Sequence, residues 1–233
     1  MVLVGLPGEA AVIWFSGMST NLYGGVLAFI DITSRNPLTV SQTTVLTTMM
    51  LVAHSFPVEL QVAVKAGVKL RVIFFIRFVG AFVVGALMNL IFSLTGTLSA
   101  PSKAVIKIAA KGDQSLWQWA FSELCNYFYI FLIILLLLFI MKILKKAGII
   151  SWMERIFAPL FSLVGIGREV TTLTIIGMTL GIAYGGALII NEAKKGTIKK
   201  RDLFYSMLFL GLCHSFIEDT LLMVSLGADL FSI

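Results

Sequence analysis

Two histidines stand in the whole chain, His54 and His214, and each opens the same short phrase at the end of an apolar run. The first phrase reads His54-Ser55-Phe56-Pro57-Val58-Glu59, and the second, 160 residues later, His214-Ser215-Phe216-Ile217-Glu218-Asp219. Imidazoles and carboxylates this close together can hold a proton, a cation or a polar solute, and imidazole titrates near neutrality, which suits proton coupling. His214 and Glu218 are four residues apart, the spacing of one helix face, so the two side chains are expected to touch. His54 and Glu59 are five apart across Pro57 and converge only if the chain bends there.

These groups sit in a chain that cannot cover a water-soluble surface. Of its 233 residues 58% are hydrophobic and 13% charged, a composition that implies an all-α, polytopic membrane protein. At roughly 20 residues per crossing there is room for about six or seven membrane segments. An ionisable group at membrane depth costs at least ~2.5 kcal/mol and tends to persist where it lines a cavity or is paired. The net charge of +6 comes mostly from short basic loops, so membrane orientation explains it and no nucleic-acid partner is implied. The N-terminus does not resemble a cleavable leader. Cys125 and Cys213 both lie in apolar segments, where free thiols are expected.

The duplication extends upstream of the histidines. Gly5, Glu9, Gly17 and Met18 match Gly165, Glu169, Gly177 and Met178 at the same offset of 160, and after a one-residue slip Tyr23-Gly24-Gly25 matches Tyr184-Gly185-Gly186. One unit of long apolar segments is thus copied twice, the sign of a transporter-like fold made of two membrane repeats. Residues 1–71 are expected to form the first repeat, 72–166 a connecting region and 167–233 the second repeat.

Within the first repeat, 9–31 reads as a helix that packs closely or breaks in mid-membrane at its small residues. A second helix over 39–56 is expected to stop at Pro57, with the backbone opening at Phe56. Residues 58–71 then form a short helix entering a basic loop. Segment 72–95 is a plain crossing in which Arg77 snorkels or caps. Residues 99–115 are expected on the membrane surface, 117–144 as the clearest crossing, and 149–166 as an amphipathic segment. Basic clusters at 65–71, 142–146 and 194–201 are placed on the cytoplasmic side. The turn at 33–38 then falls outside and its mate at 191–201 inside, so the two repeats are expected to be inverted. The first repeat has no counterpart of 117–166 before it, which points to a leading helix supplied by a partner or by a second copy of the chain in a homo-oligomer.

Gly5-Leu6-Pro7-Gly8-Glu9-Ala10-Ala11, Asn21-Leu22-Tyr23 and Ala53-His54-Ser55-Phe56-Pro57-Val58-Glu59 resemble the Gate, or nucleoside-recognition, domain proteins of bacterial and archaeal membranes. That family includes spore-maturation-type proteins and is distantly related to concentrative nucleoside transporters and to the membrane part of ferrous-iron transporters. The resemblance covers nearly the whole chain. It implies two inverted Gate repeats whose broken helices meet near the midplane of the cytoplasmic membrane. Cysteine and proline motifs of the ferrous-iron relatives are not evident.

The candidate binding residues are Glu9, Asn21, Tyr23, His54, Ser55 and Glu59 in the first repeat and Glu169, Tyr184, His214, Ser215, Glu218 and Asp219 in the second. Against this stands a plainer reading, in which each histidine bonds a glutamate of the other repeat as helix-locking glue. On the same reading Glu9 and Glu169 cap helix starts, and Tyr23 and Tyr184 pack rather than stack on a ring-shaped solute. The expected function is a permease for a small polar solute, nucleoside-like by the family resemblance. Two alternatives stay open. One is a divalent-metal carrier using His54, His214, Glu59 and Glu218; the other is a non-transporting assembly or regulatory membrane protein. No nucleophile-base set, phosphate loop or cofactor fingerprint stands out, so neither an enzyme nor a bound cofactor is expected.

Overall fold

A computed structural model describes residues 1–104, 115–163, 166–196, 198–214 and 216–233. Among them the chain forms eleven α-helices and no strand; a single bridge joins Thr39 to Pro101. Four short helices come first: α1 (Ala10–Ser19), α2 (Leu22–Arg35), α3 (Val40–Val52) and α4 (Phe56–Lys65). Three connecting helices follow, α5 (Leu70–Thr95), α6 (Leu116–Lys146) and α7 (Ile149–Leu163), and four short ones close the chain, α8 (Arg168–Leu180), α9 (Ile182–Lys194), α10 (Lys200–Cys213) and α11 (Phe216–Ser225).

Local chemistry explains where the first helices begin. The Asn21 side chain accepts from Gly24 N at 2.9 Å and caps α2, while Thr39 and Gln42 form a reciprocal capping box at the start of α3, each supplying partners for amides that a helix start leaves open. The expected single helix over 9–31 is therefore two helices parted at Thr20–Asn21. Its counterpart is parted at Gly181, whose φ of 89° suits a residue without Cβ.

The break after α3 differs from the expectation. The helix ends at Val52, and the opening falls on Ala53, His54 and Ser55, with Ser55 left-handed at φ 51°. Pro57 belongs to the first turn of α4. Proline is well suited there, because its missing N–H is one that a helix start leaves unpaired anyway.

Element bounds and glycine contacts match between the copies at a constant offset, without the one-residue slip. α4 and α11 begin and end 160 residues apart, as do the starts of α2 and α9. Gly25 lies against Gly17 beneath Met50, and Gly185 lies against Gly177 beneath Leu210; in both cases the offset is again 160. The contacts thus pair Gly25 with Gly185 rather than with Gly186. A Cβ on Gly185 would fall on the Gly177 backbone, so glycine is what lets α8 and α9 approach this closely.

Three stretches among the described residues are long and apolar enough to cross a membrane: Val40–Lys65, Leu70–Thr95 and Lys200–Ser225. Each holds 26 residues, or ~39 Å if fully helical, against ~30 Å of hydrocarbon. The first and third are composite, each made of two helices with a histidine at the joint. α6 adds 31 residues. The outward side chains of α5 and α6, among them Phe75, Val79, Val83, Leu87, Phe121, Phe128 and Phe139, are exposed, as befits helices solvated by lipid. Inside, Trp14 donates to Met49 O at 3.1 Å and lies among Phe78 and Phe82. The halves interlock, with α4 against α9 and both α10 and α11 against α3. This is an all-α, multi-pass membrane fold. Of the expected surface segment 99–115, residues 105–114 lie outside the described residues.

Candidate functional site

The joints of the two composite spans meet. His54 follows the end of α3 and His214 the end of α10; both are buried, and their rings lie 5.1 Å apart. At its joint His54 turns Nδ1 toward Met50 O at 2.9 Å and Leu51 O at 3.1 Å. His214 does the same toward Leu210 O at 3.1 Å. A carbonyl oxygen only accepts, so Nδ1 carries the proton in each ring and, in the neutral imidazole, Nε2 is left with a lone pair.

Both Nε2 atoms face one carboxylate oxygen. Glu59 Oε1 lies 3.4 Å from His54 Nε2 and 3.8 Å from His214 Nε2, is buried, and finds no hydrogen-bond donor. Three lone-pair atoms therefore converge at the crossing of the two halves. They repel one another unless a proton or a metal cation stands between them. Asp219, the positional equivalent of Glu59, borders the cluster with Oδ2 at 3.7 Å from His54 Nε2.

The other oxygen of Glu59 is held by Arg77. The guanidinium of Arg77 is fully buried; Nη1 bonds Glu59 Oε2, Nε donates to Val52 O at 2.9 Å, and Nη2 donates to His54 O at 3.3 Å. It also lies 5.0 Å from the centre of the Phe56 ring, within cation–π range. The expected snorkelling or capping role is thus corrected. Arg77 pays off the carbonyls released by the break after α3 and anchors the carboxylate beneath the histidines. The sequence does carry a signal for it, a lone arginine well inside an apolar segment, but the partner lies on another helix.

Other expected site residues are distributed as follows. Tyr23 reaches the second half, donating its hydroxyl to Glu218 Oε1 at 2.8 Å. Glu218 does not share a continuous helix face with His214, because α10 ends at Cys213 and α11 begins at Phe216; the four-residue rule fails across the joint, and His214 looks to Glu59 instead. Ser55 contributes backbone geometry, its N–H bonding Gly17 O at 3.0 Å. Asn21 caps α2 and is exposed. Glu9 is exposed and accepts from Asn36 Nδ2 at 2.6 Å, apart from the histidines. Ser215 and the side chains of Glu169 and Tyr184 lie outside the described residues.

Fold and site together define a transporter-like, multi-pass membrane protein built on two copies of a broken-helix unit. Residues 127–229 match the Gate family model, described as nucleoside recognition, a range that takes in α8 to α11 of the second copy. The first copy, whose residues carry the resemblance noted from sequence, lies ahead of the matched range. The chain is similar to an uncharacterised membrane protein, YvoD, of Bacillus subtilis (strain 168), 28% identical over 97% of this chain and 72% of the relative. No solved structure matches it.

Proposed function

We propose that the protein is a permease of the cytoplasmic membrane that moves a small polar solute or ion through the crossing of its two halves. The observation that carries this reading is the convergence of His54 Nε2, His214 Nε2 and the unpaired Glu59 Oε1 beside the opened backbone at Ala53–Ser55 and the end of α10. Backbone that opens inside a membrane is tolerated where it lines a cavity or is buried in protein, and transporters bind their substrates at such places. The Gate description supports a nucleoside-like solute by family alone. Inverted repeats, with the 33–38 and 191–201 turns on opposite sides, would supply alternating access.

The contacts from Tyr23 to Glu218 and from His54 to Asp219 also favour a second reading, a non-transporting assembly protein in which they serve as glue. Flux separates the two. Purified protein in liposomes is tested for uptake of radiolabelled nucleosides and, with internal indicator dyes, of Zn2+ and Mn2+. Transport of at least one of these is expected in the native chain, with loss in the double variant His54→Gln, His214→Gln while insertion is kept. Full residual flux in that variant removes the histidines from the pathway, and no flux of any of them in the native chain favours the assembly protein.

A further inference from the structure

We infer that His54, His214 and Glu59 together bind one first-row divalent metal ion, gripped between the two halves of the chain. The inference rests on the permease reading and names the substrate class of the same site. Its geometric basis is that the ligand atoms of the three residues all lie within 4.8 Å of one another, each residue being buried.

Three features point to a metal. The first is chemical type: two imidazole nitrogens with a carboxylate oxygen suit zinc, iron, cobalt or manganese and leave coordination positions open. The second is preparation of the ligands. The Nδ1 atoms of both histidines face backbone carbonyls, at 2.9 Å for His54 to Met50 O and 3.1 Å for His214 to Leu210 O. That arrangement fixes the tautomer and aims Nε2 at the ion, as backbone carbonyls commonly do behind metal-bound imidazoles. Arg77 holds Glu59 Oε2 in the same manner, leaving Oε1 free. The third is distance. Ligands bonded at ~2.0–2.1 Å in a tetrahedron stand roughly 3.3–3.4 Å apart, and His54 Nε2 to Glu59 Oε1 is 3.4 Å. His214 Nε2 stands 3.8 Å from the same oxygen and the whole set falls within 4.8 Å, so an ion would draw the two imidazoles together, the widest pair by up to about 1.4 Å.

Charge argues for a divalent ion. With the carboxylates ionised, Glu59, Glu218 and Asp219 face the single guanidinium of Arg77, leaving two formal negative charges in low dielectric. One divalent cation cancels them. A proton on each histidine would do so too, so the experiment must separate metal from protons.

Strep-tagged protein, free of added histidines and stripped with chelator, is titrated with Co2+ and followed by visible absorption, then with Zn2+ by calorimetry. One ion per chain is expected, with affinity reduced at least ~100-fold in His54→Gln, in His214→Gln and in Glu59→Gln, since even removal of a supporting partner costs 10–100-fold. Because Glu59→Gln disturbs the Arg77 pair, His214→Gln, which leaves that pair intact, carries the test if Glu59→Gln fails to fold. Asp31→Asn, an exposed acid, serves as the control and is expected to bind like the native chain. Absence of stoichiometric metal binding, or binding that survives both histidine variants, overturns the metal site. If nucleoside uptake is then still lost in the histidine double variant, the permease reading stands without it. Stoichiometric binding with no metal flux keeps the site and sinks metal as the cargo.

Discussion

Replacing Arg77 with methionine keeps an apolar stem of similar length and removes the guanidinium. Three acceptors lose their donor at once: Glu59 Oε2, Val52 O and His54 O. Breaking a buried ion pair by removing one member costs ~3–5 kcal/mol, because the remaining charge is left buried. An orphaned carbonyl costs a further ~1–3 kcal/mol where water cannot reach it. These contributions overlap, so the expected loss is at least ~3 kcal/mol, well above the ~0–1 kcal/mol of an exposed pair. Arg77→Lys, which keeps the charge but not the planar fork, falls between. In the double variant Arg77→Met, Glu59→Leu the uncompensated charge is gone, and apolar replacement of a buried pair is often neutral or stabilising. Most of the loss is therefore recovered, and the two substitutions are strongly non-additive. Unfolding by SDS in mixed micelles, followed by tryptophan fluorescence and checked for reversibility, measures the native chain, Arg77→Met, Arg77→Lys, Glu59→Leu and the double variant. A loss under ~1 kcal/mol for Arg77→Met, or a double variant as unstable as the sum of the singles, refutes this account.

Other substitutions probe the frame around the site. Gly185→Ala drives a methyl group into the Gly177 backbone and is expected to cost ~1–3 kcal/mol or more by overpacking, whereas Gly8→Ala, with open space around the added atom, is expected to melt like the native chain. Tyr23→Phe removes a hydrogen bond to a carboxylate that joins the halves, with an expected loss of ~1.5–3 kcal/mol in the same micellar unfolding assay. Single cysteines at Arg35 and Gly196, in a background lacking Cys125 and Cys213, are expected to react with impermeant reagent from opposite sides of the membrane; labelling from one side rules out inverted repeats.

The apolar composition announced a membrane protein, and the twin histidine phrases marked the place where its halves cross. That much is legible because repetition and composition survive any detail of packing. The register was harder. Matching the letters Tyr-Gly-Gly pulled the second copy one residue off, whereas the backbone approach of Gly17 to Gly25 and of Gly177 to Gly185 obeys a constant offset. The expected touch of His214 and Glu218 failed because helix spacing holds only along one helix, and His214 follows the end of α10 whereas Glu218 belongs to α11. Arg77 was underestimated because its acceptors belong to the joint after α3 and to α4. Local periodicity carries no trace of a partner on another element.

The ion pair of Arg77 with Glu59 spans only 18 residues, whereas His54 reaches Asp219 and Tyr23 reaches Glu218 across most of the chain. The order of synthesis turns this difference into an order of assembly. As α5 leaves the translocon, Arg77 meets a carboxylate that is already in the membrane, so its insertion penalty of roughly 2.5–3.5 kcal/mol need be borne only briefly. The early helices can thus settle as a charge-balanced body while the ribosome is still making α6. Asp219 and Glu218 emerge last, and the sites prepared for them, His54 and Tyr23, have been waiting in the bilayer. A ribosome stalled after α5 would leave in the membrane a first half whose buried arginine is already neutralised, together with a binding surface for the half still to come.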